Sequence, residues 1–362
     1  MRVVIAPDKF AGTLSAREAA EAAAAGWRRV RPDDEIVVVP TADGGAGTLE
    51  VVADAVAGRT VHTAEVADAT AHARTGRWLE LPDGRALVEG AEANGLAHVP
   101  PERRDPLTAT SYGVGQLMRA AADAGVREIV VTLGGSATVD GGAGMATALG
   151  HRLLRGDGNG VKVGARYLDS LAEVRPGPPL GVPVVAAVDV TNPLLGPDGA
   201  ATVFGPQKGA APEEVPVLEQ VLSRLADVVE RDLPGGPWRD LPGAGAAGGL
   251  GFALAAFCGA RIEGGAAAVA SVTGLDAAIA DADVVITGEG KLDFQTAHGK
   301  APGWVAARAR EAGARVLAIA GQLADGAEDD YDAAAELGPE GFDRPAELVS
   351  ERAEALARQT AG

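Results

Sequence analysis

The sequence predicts an α/β fold in which parallel strands are covered by helices on both faces. Short apolar runs rich in β-branched residues recur along the 362 residues, and each is followed by Gly, Asp or Glu. Because these runs are continuously apolar and do not alternate, both faces of each strand are expected to be buried, as in a parallel sheet. Apolar residues make up 47% of the chain and aromatic residues only 4%, so aliphatic side chains must supply most of the core.

Strands and helices are predicted in order along the chain. The strands cover residues 3–6, 36–39, 129–133, 184–188, 284–286 and 316–319, and the helices cover residues 15–29, 48–57 and 145–150. Ser15 followed three residues later by Glu18 has the pattern of a capping box, which starts the first helix. The fifth strand is predicted to stop at Thr287, before Gly288 and Glu289.

Residues 78–99 break this pattern and indicate a second domain. Two short apolar runs flank Pro82-Asp83-Gly84, which is typical of a β-hairpin. We interpret the hairpin as part of a second α/β domain inserted into the first. Residues 1–65 plus 275–362 would then form one domain and residues 66–274 the inserted one, since 362 residues exceed one core of ordinary size.

The charge balance excludes several classes of partner. Lys plus Arg number 32 against 50 Asp plus Glu, which gives a formal net charge of −18. Such a chain repels nucleic acids and anionic membranes at long range, and we expect neither as a partner. The single cysteine, Cys258, gives no disulfide framework, and neither a secretory signal nor an apolar membrane span is evident. We therefore expect a cytoplasmic protein, either a monomer or a homodimer.

Lysine is rare and is concentrated in loops. Only 5 of the 32 basic residues are lysines, and four of them lie in glycine-rich or strand-end loops: Lys9, Lys208, Lys291 and Lys300. A compact ammonium group suits contact with a phosphate or a carboxylate, so these lysines are candidates for anion binding. Chance placement in exposed loops is the alternative.

A glycine-rich loop follows the third predicted strand and precedes a predicted helix. It spans residues 134–144 and contains Gly134, Gly135, Ser136, Asp140, Gly141 and Gly142. Glycines let backbone N–H groups approach an anion and the next helix offers its N-terminus, so the loop is predicted to cradle phosphate. A tight structural loop is the alternative. No Walker A pattern and no protein-kinase motif set occurs, which excludes those two kinase classes.

Acidic residues follow the ends of the predicted strands. They are Asp8, Asp43, Asp140, Asp189, Glu289 and Asp293. Ligands of parallel sheets bind beyond the carboxyl ends of the strands, so the site is predicted to be acidic and lined by glycine. Phosphoryl transfer requires a divalent cation and a carboxylate that accepts the hydroxyl proton, and Asp189 and Asp293 suit these roles in either order. A turn or a helix cap is the alternative for each.

Residues 243–248 read Gly-Ala-Gly-Ala-Ala-Gly and match the dinucleotide-binding pattern G-x-G-x-x-G. The preceding residues 237–242 lack the pattern of a strand, which that motif requires. We therefore predict close packing or backbone approach to a substrate, with an NAD-dependent dehydrogenase as the alternative.

Seven segments, read in order, resemble the bacterial glycerate kinases of the glyoxylate and sugar-acid pathways. They are residues 6–8 with 14–16, 42–45, 134–144, 189–194, 204–210, 242–251, and 287–293 with 299–300. The resemblance implies an enzyme that phosphorylates D-glycerate with ATP and Mg²⁺, with 2-phosphoglycerate as the product and 3-phosphoglycerate as the alternative. It also implies a Rossmann-like parallel-sheet domain built from both chain ends, with a second α/β domain inserted.

Strand-end placement and this resemblance together assign hypothetical roles to the loop residues. Catalysis is assigned to Asp189, Asp293 and Lys208, and the same two aspartates are the candidate Mg²⁺ ligands. Substrate binding is assigned to Asp8, Lys9, Asp43, Gly44, Asn192, His298 and Lys300. Contact with the nucleotide is assigned to Gly134, Gly135, Ser136, Asp140, Gly141, Gly142 and Glu289. Glycerate is expected between the two domains, with its carboxylate on Lys9 or Lys208.

Two positions depart from the family pattern. Ala11 stands where a lysine is common, although Lys9 lies two residues earlier, and Ala46 stands where an acidic residue is common. Each change removes a charged group from a loop that is expected to face the ligands. A non-catalytic sensor of glycerate or nucleotide is therefore a further alternative, and such a sensor would be stabilised by its ligand without turnover.

Overall fold

The computed structural model describes residues 1–293 and 300–360. Within these residues the strands are β1 (Arg2–Ile5), β2 (Glu35–Val38), β3 (Thr60–Ala67), β4 (Ala73–Glu80), β5 (Arg85–Glu89), β6 (Glu128–Thr132), β7 (Arg152–Arg155), β8 (Leu171–Arg175), β9 (Val184–Val188), β10 (Arg261–Gly264), β11 (Val284–Leu292), β12 (Arg315–Leu323) and β13 (Ala333–Glu336). The helices are α1 (Ala16–Val30), α2 (Thr48–Ala55), α3 (Ala91–Asn94), α4 (Tyr112–Asp123), α5 (Ala143–Ala148), α6 (Ala200–Phe204), α7 (Val215–Asp232), α8 (Ala246–Cys258), α9 (Gly265–Thr273), α10 (Leu275–Ala280), α11 (Ala301–Glu311) and α12 (Pro345–Gln359). None of these helices is both long enough and apolar enough to cross a membrane.

Two large sheets carry the fold, and both confirm the predicted α/β class. The first has the strand order β13-β12-β11-β1-β2, and all of its neighbouring strands are parallel. The second has the order β10-β9-β6-β5-β4-β3, with parallel pairing from β10 to β5 and antiparallel pairing beyond. The predicted hairpin is formed by β4 and β5, in which Leu79 pairs with Leu87.

The chain divides into two compact units, each built around one of these sheets. The first unit comprises Met1–Asp43, Glu50–Ala57 and Gly265–Gly362, and the second comprises Gly44–Leu49 and Gly58–Gly264. Apart from the short excursion at 44–49, the chain enters the second unit at Gly58 and leaves it after Gly264, in both cases earlier than the boundaries at 65 and 275 that we expected. The reason is that β3 pairs with β4 in the second sheet, whereas α9 places Ala270 in the core of the first unit.

Helix α1 shows how local sequence and packing agree in the first unit. The Ser15 side chain accepts a hydrogen bond from the Glu18 N–H, and the Glu18 carboxylate accepts one from the Ser15 N–H, which confirms the capping box. The buried face of α1 consists of alanines together with Trp27, and it packs along α12. Small side chains allow the two helices to approach closely, and Gly26 lies against the backbone of Ser350.

Replacing Gly26 by alanine is expected to lower the free energy of unfolding by about 2–3 kcal/mol, although alanine favours helices more than glycine does. A Cβ atom at this position would lie 1.9 Å from the carbonyl oxygen of Ser350, so the two helices would have to separate. Gly156→Ala is the matched control, because a Cβ there has no atom within 4 Å. Urea unfolding checks the prediction, and equal midpoints for the two variants would contradict it.

Strands β11 and β12 run further than the apolar pattern predicted. The prediction that the fifth strand stops at Thr287 is wrong, because Glu289 pairs with Ala320 and Lys291 with Gln322. Backbone pairing to β12 continues the strand after its side chains have become polar. Glu289 therefore lies within β11, and Asp293 is the acidic residue that follows its end.

Candidate active site

A pocket of about 270 Å³ opens at one edge of the second sheet. Strands β6 and β9 are parallel neighbours, so their carboxyl ends meet at the same edge. The segment after β6 supplies Gly134, Gly135 and Ser136, and the segment after β9 supplies Asp189. Lys208, in the short turn that follows α6, completes the polar part of the lining. The structure therefore brings together five of the residues that the sequence singled out.

Lys208 is a buried cation in the wall of this pocket. Its side chain is only 3% exposed, and Nζ donates hydrogen bonds to Ser136 Oγ at 2.9 Å and to the Thr138 carbonyl at 2.8 Å. Within the described part of the chain no carboxylate lies within 4 Å of Nζ. Burial lowers the pKa of Lys208 to about 7, although the charge of Asp140 acts in the opposite direction. A buried ammonium group without an ion-pair partner suits an anionic ligand.

Asp140, a predicted nucleotide contact, is a buried carboxylate at the start of α5. Its carboxylate is fully buried and accepts hydrogen bonds from the Ser111 N–H and hydroxyl and from the Gly142 and Gly144 N–H groups. Burial raises the pKa of Asp140, and these hydrogen bonds oppose the rise. The N-terminus of α5 is therefore capped from inside the protein. The Gly142 and Gly144 N–H groups are therefore already hydrogen-bonded to Asp140, and a phosphate at this helix end stays a prediction.

The glycine-rich loop divides into a pocket-lining part and a packing part. Gly134 and Gly135 line the pocket, and Gly135 has a φ of 73°. Gly141 and Gly142 instead pack into the core, since a Cβ at Gly141 would lie 2.3 Å from Leu225 and one at Gly142 would lie 2.2 Å from Ala253. The nucleotide contacts predicted for these last two glycines are therefore not supported by their positions.

The segment after β9 presents Asp189 to the pocket. Asp189 is an exposed residue directly after the buried strand, and it belongs to the pocket lining. The neighbouring Asn192 donates a hydrogen bond from Nδ2 to the Asp198 carbonyl at 2.8 Å, and its contact with substrate stays a prediction. Asn192 thus shapes the loop that follows Asp189.

The glycine run at residues 243–248 serves close packing, as the sequence predicted. A Cβ at Gly248 would lie 1.9 Å from the Thr138 carbonyl oxygen, which also accepts the hydrogen bond from Lys208. The preceding residues 237–242 contain no strand, so the context of a dinucleotide site is missing. The adjacent Ala247 lines the pocket with a φ of 53°, which is rare for a residue other than glycine.

A second group of predicted residues lies in the first unit. Asp8 follows β1, is 5% exposed, and accepts a hydrogen bond from the Lys9 N–H at 2.6 Å. Burial raises the pKa of Asp8 to about 7, and the nearby charges of Asp43 and Glu289 add to the rise. Lys300 lies 3.7 Å from the Glu289 carboxylate. The neutral form of Asp8 is therefore populated near physiological pH, and the ionised form would be favoured by a bound cation.

The remaining predicted residues are divided between the two units. Asp293 follows β11 in the first unit and forms an ion pair with Lys291 at 3.6 Å. Gly44 belongs to the second unit, and its carbonyl accepts a hydrogen bond from the Gly134 N–H at 3.2 Å. His298 lies outside the described residues.

The pH dependence of stability is expected to report the buried Asp8 carboxyl. Its folded pKa lies above its unfolded value, so the free energy of unfolding should fall as the pH rises from about 4 to about 7. Asp8→Asn should remove this loss and be the more stable protein at pH 8, by up to about 4 kcal/mol. Asp33→Asn, at an exposed position, is the control. Urea titrations at several pH values check this, and a pH-independent difference from wild type would refute it.

Glu89 fixes a neighbouring loop through its carboxylate, although the sequence did not single this residue out. The residue is 4% exposed, and its carboxylate accepts hydrogen bonds from the Gly47 N–H at 2.9 Å and the Leu49 N–H at 2.8 Å. It thereby holds the segment 44–49, in which Ala46 lies beside Gly135. In the sequence Glu89 is recognisable only as a glutamate at the end of an apolar run, and many surface residues have the same pattern.

Comparison with known proteins places this geometry in a family. The model of the glycerate kinase family matches residues 3–361. The chain belongs to the glycerate kinase family. A glycerate 2-kinase from Escherichia coli K12 is 43% identical over 330 residues, which cover 90% of this chain and 86% of that protein. A glycerate kinase from Bacillus subtilis 168 is 43% identical over 328 residues, which cover 89% and 85%.

A solved structure supports the family assignment over the full length. The crystal structure from Salmonella typhimurium LT2, described as a glycerate kinase 2, has a TM-score of 0.89 and 42% sequence identity. The match covers 100% of this chain and 98% of that one. As a member of the glycerate kinase family the chain is an enzyme, and ATP is the implied phosphoryl donor.

Proposed function

We propose that this chain transfers the γ-phosphoryl group of ATP to D-glycerate, at the 2-hydroxyl group, and so forms 2-phosphoglycerate. The observation that carries the proposal is Lys208, a buried cation that has no ion-pair partner among residues 1–293 and 300–360 and lines a small pocket together with Asp189. The names of the relatives support the substrate, and that of the Escherichia coli relative supports the 2-position.

The pocket suits a small hydroxy acid by size and by charge. Its volume of about 270 Å³ lies below the range of about 300–1,000 Å³ that is typical of drug-sized ligands. The ammonium group of Lys208 is the group that would hold the glycerate carboxylate. Because Nζ already donates two hydrogen bonds to neutral acceptors, one N–H of the charged amine remains for the ligand.

Asp189 is placed to act on the hydroxyl group of a ligand held by Lys208. In phosphoryl transfer a carboxylate accepts the proton of the attacking hydroxyl, and an exposed aspartate at the pocket can serve as that base. The same carboxylate could instead be a ligand of Mg²⁺. We propose one of these two roles for Asp189, and the complementary role for Asp293.

One or two carboxylates of this chain could hold Mg²⁺. Among residues 1–293 and 300–360 no three His, Cys, Asp or Glu side chains form a ready-made metal cluster. Mg²⁺ usually takes only one or two protein carboxylates and completes its shell with water and phosphate oxygens, so Asp189 or Asp293 would suffice. When bound, Mg²⁺ neutralises charge on the phosphate groups.

We propose further binding roles for the other predicted residues that remain available. The Gly134, Gly135 and Ser136 segment would contact nucleotide phosphates or the transferred phosphoryl group. Lys9 and Lys300, both in the first unit, would balance phosphate charge. Asp8, Asp43 and Glu289 stay proposed ligand-binding residues of that unit.

The test is the release of ADP by the purified chain with ATP, Mg²⁺ and a panel of small acids. The proposal expects release that depends on D-glycerate and is much slower with L-glycerate, lactate or tartrate. Release that does not depend on any acid would contradict the proposed acceptor. Thermal stabilisation by glycerate and ATP without ADP release would favour the alternative of a non-catalytic sensor, for which Ala11 and Ala46 are the motivation.

A further inference from the structure

Ser136 and Lys208 form a close pair whose contact can support a second kind of chemistry. Ser136 Oγ lies 2.9 Å from Lys208 Nζ, and this amine is its only hydrogen-bond partner within the described residues. Both side chains are more than nine-tenths buried, and both line the same pocket. A serine in contact with a buried lysine has the geometry of a nucleophile beside its base, as in the Ser-Lys variants of serine catalysis.

The surroundings of Lys208 allow the amine to be neutral when no anion is bound, and a base must be neutral to accept a proton. No carboxylate lies within 4 Å of Nζ in the described part of the chain, and the amine is held by the Thr138 carbonyl at 2.8 Å. Burial lowers the pKa of Lys208 to about 7, so about half of the amine is neutral at that pH. In the neutral form the nitrogen lone pair can accept the hydrogen bond that the Ser136 hydroxyl donates.

The same loop offers a donor for the charge that develops in an acyl transfer. Gly135 precedes Ser136, lines the pocket, and has an N–H group that donates to no other group in the described part of the chain. Backbone N–H groups next to a nucleophile are the usual source of oxyanion stabilisation. The pocket volume of about 270 Å³ admits only a small acyl or sulfonyl group.

We propose that Ser136 is an activated nucleophile with Lys208 as its base, and that this pocket hydrolyses small activated esters. Ser136 Oγ attacks the ester carbonyl while its proton passes to Lys208 Nζ. The bond from Oγ to the acyl carbon forms, and the bond to the leaving phenolate breaks. The phenolate takes up the proton that Lys208 Nζ received, which leaves the amine neutral again. Water then attacks the acyl carbon and gives a proton to Nζ; the bond to Oγ breaks, Nζ returns this proton to Ser136, and the carboxylic acid is released.

This inference does not rest on the proposed kinase activity, and it is compatible with it. An anion bound to Lys208 favours the charged amine, which can no longer accept the proton of Ser136. D-glycerate should therefore suppress the reactivity of Ser136. The assays below contain neither ATP nor Mg²⁺, so their failure would leave the kinase proposal standing, and failure of the kinase assay would leave this one testable.

The experiment treats the purified chain with methanesulfonyl fluoride, which transfers its sulfonyl group to activated serines and releases fluoride. Peptide mass spectrometry should find the label on Ser136, and p-nitrophenyl acetate hydrolysis should be lost in step with labelling. Ser136→Ala should abolish both signals, whereas Ser170→Ala, at an exposed position, should leave both unchanged. Label spread evenly over exposed serines, with Ser136 unlabelled, would overturn the proposal.

Two further measurements test whether Lys208 acts as the base. Lys208→Met should slow labelling of Ser136 by about 100-fold, in the range expected for loss of a base. In the wild type the labelling rate should rise between pH 6 and pH 8, as Lys208 loses its proton. The acidic groups near Lys208 are Asp140 and Asp189. This pH profile tests the base even if the variant fails to fold. An unchanged rate in folded Lys208→Met, or a flat profile in the wild type, would refute it.

Discussion

Asp189→Asn is expected to lower kcat for glycerate phosphorylation by about 10³-fold while the chain stays folded. Loss of a general base typically costs 10²–10⁴-fold, and loss of a metal ligand at the reacting phosphate falls in the same range. Asp189 is exposed at the end of β9, so its replacement should leave the core intact. Steady-state kinetics with coupled ADP detection measures the effect.

The matched control for this variant is Asp198→Asn. Asp198 is an exposed aspartate in the same loop region, and it carries the same charge but does not line the pocket. Its replacement should leave kcat within about twofold of wild type. Near-normal turnover of Asp189→Asn would remove Asp189 from the mechanism, whether as base or as metal ligand.

Lys208→Met is expected to lower kcat/KM for glycerate by about 10²–10³-fold, because the pocket loses the cation that holds the substrate anion. Methionine has a similar length and no charge, so it can occupy the same buried volume. Lys162→Met is the control, since Lys162 is exposed and lies over the ring of Tyr167. If both variants kept wild-type kcat/KM, anion binding by Lys208 would be excluded.

The same variant should change the pH dependence of stability in a defined direction. The folded pKa of Lys208 is about 7 and its unfolded value is 10.5, so between these values the unfolded chain binds more protons. The free energy of unfolding should therefore rise with pH, and Lys208 contributes about 2 kcal/mol of increase between pH 7 and pH 9. Lys208→Met should lack this increase. Urea unfolding at the two pH values measures it, and an identical increase in both proteins would mean that the lysine is not desolvated.

Local patterns predicted the elements of this fold where a single segment decides the structure. The capping box of Ser15 and Glu18 and the buried apolar strands need only neighbouring residues, and both are present. The full length of β11 escaped prediction because pairing to β12 carries the strand through polar residues such as Lys291. A strand end is thus set by its partner strand as well as by its own sequence.

The sequence predicted where the site lies in the fold, but it did not predict which side chains point into the pocket and which point into the core. Sequence placed Asp140 and Asp189 alike, in loops that follow strands, yet the first caps a helix from inside the core and the second lines the pocket. The contact between Ser136 and Lys208 joins residues 72 positions apart. These two residues meet because β6 and β9 are neighbours in the sheet and because the chain between β9 and Lys208 runs through α6.

The proposed phosphoryl transfer is tested most directly by ³¹P NMR of the purified chain incubated with ATP, Mg²⁺ and D-glycerate. We expect loss of the γ-phosphate resonance of ATP and the appearance of the phosphomonoester of 2-phosphoglycerate. Appearance of 3-phosphoglycerate instead would keep the kinase and overturn the proposed position. A spectrum without any new phosphomonoester, from protein shown to be folded, would contradict the proposed function.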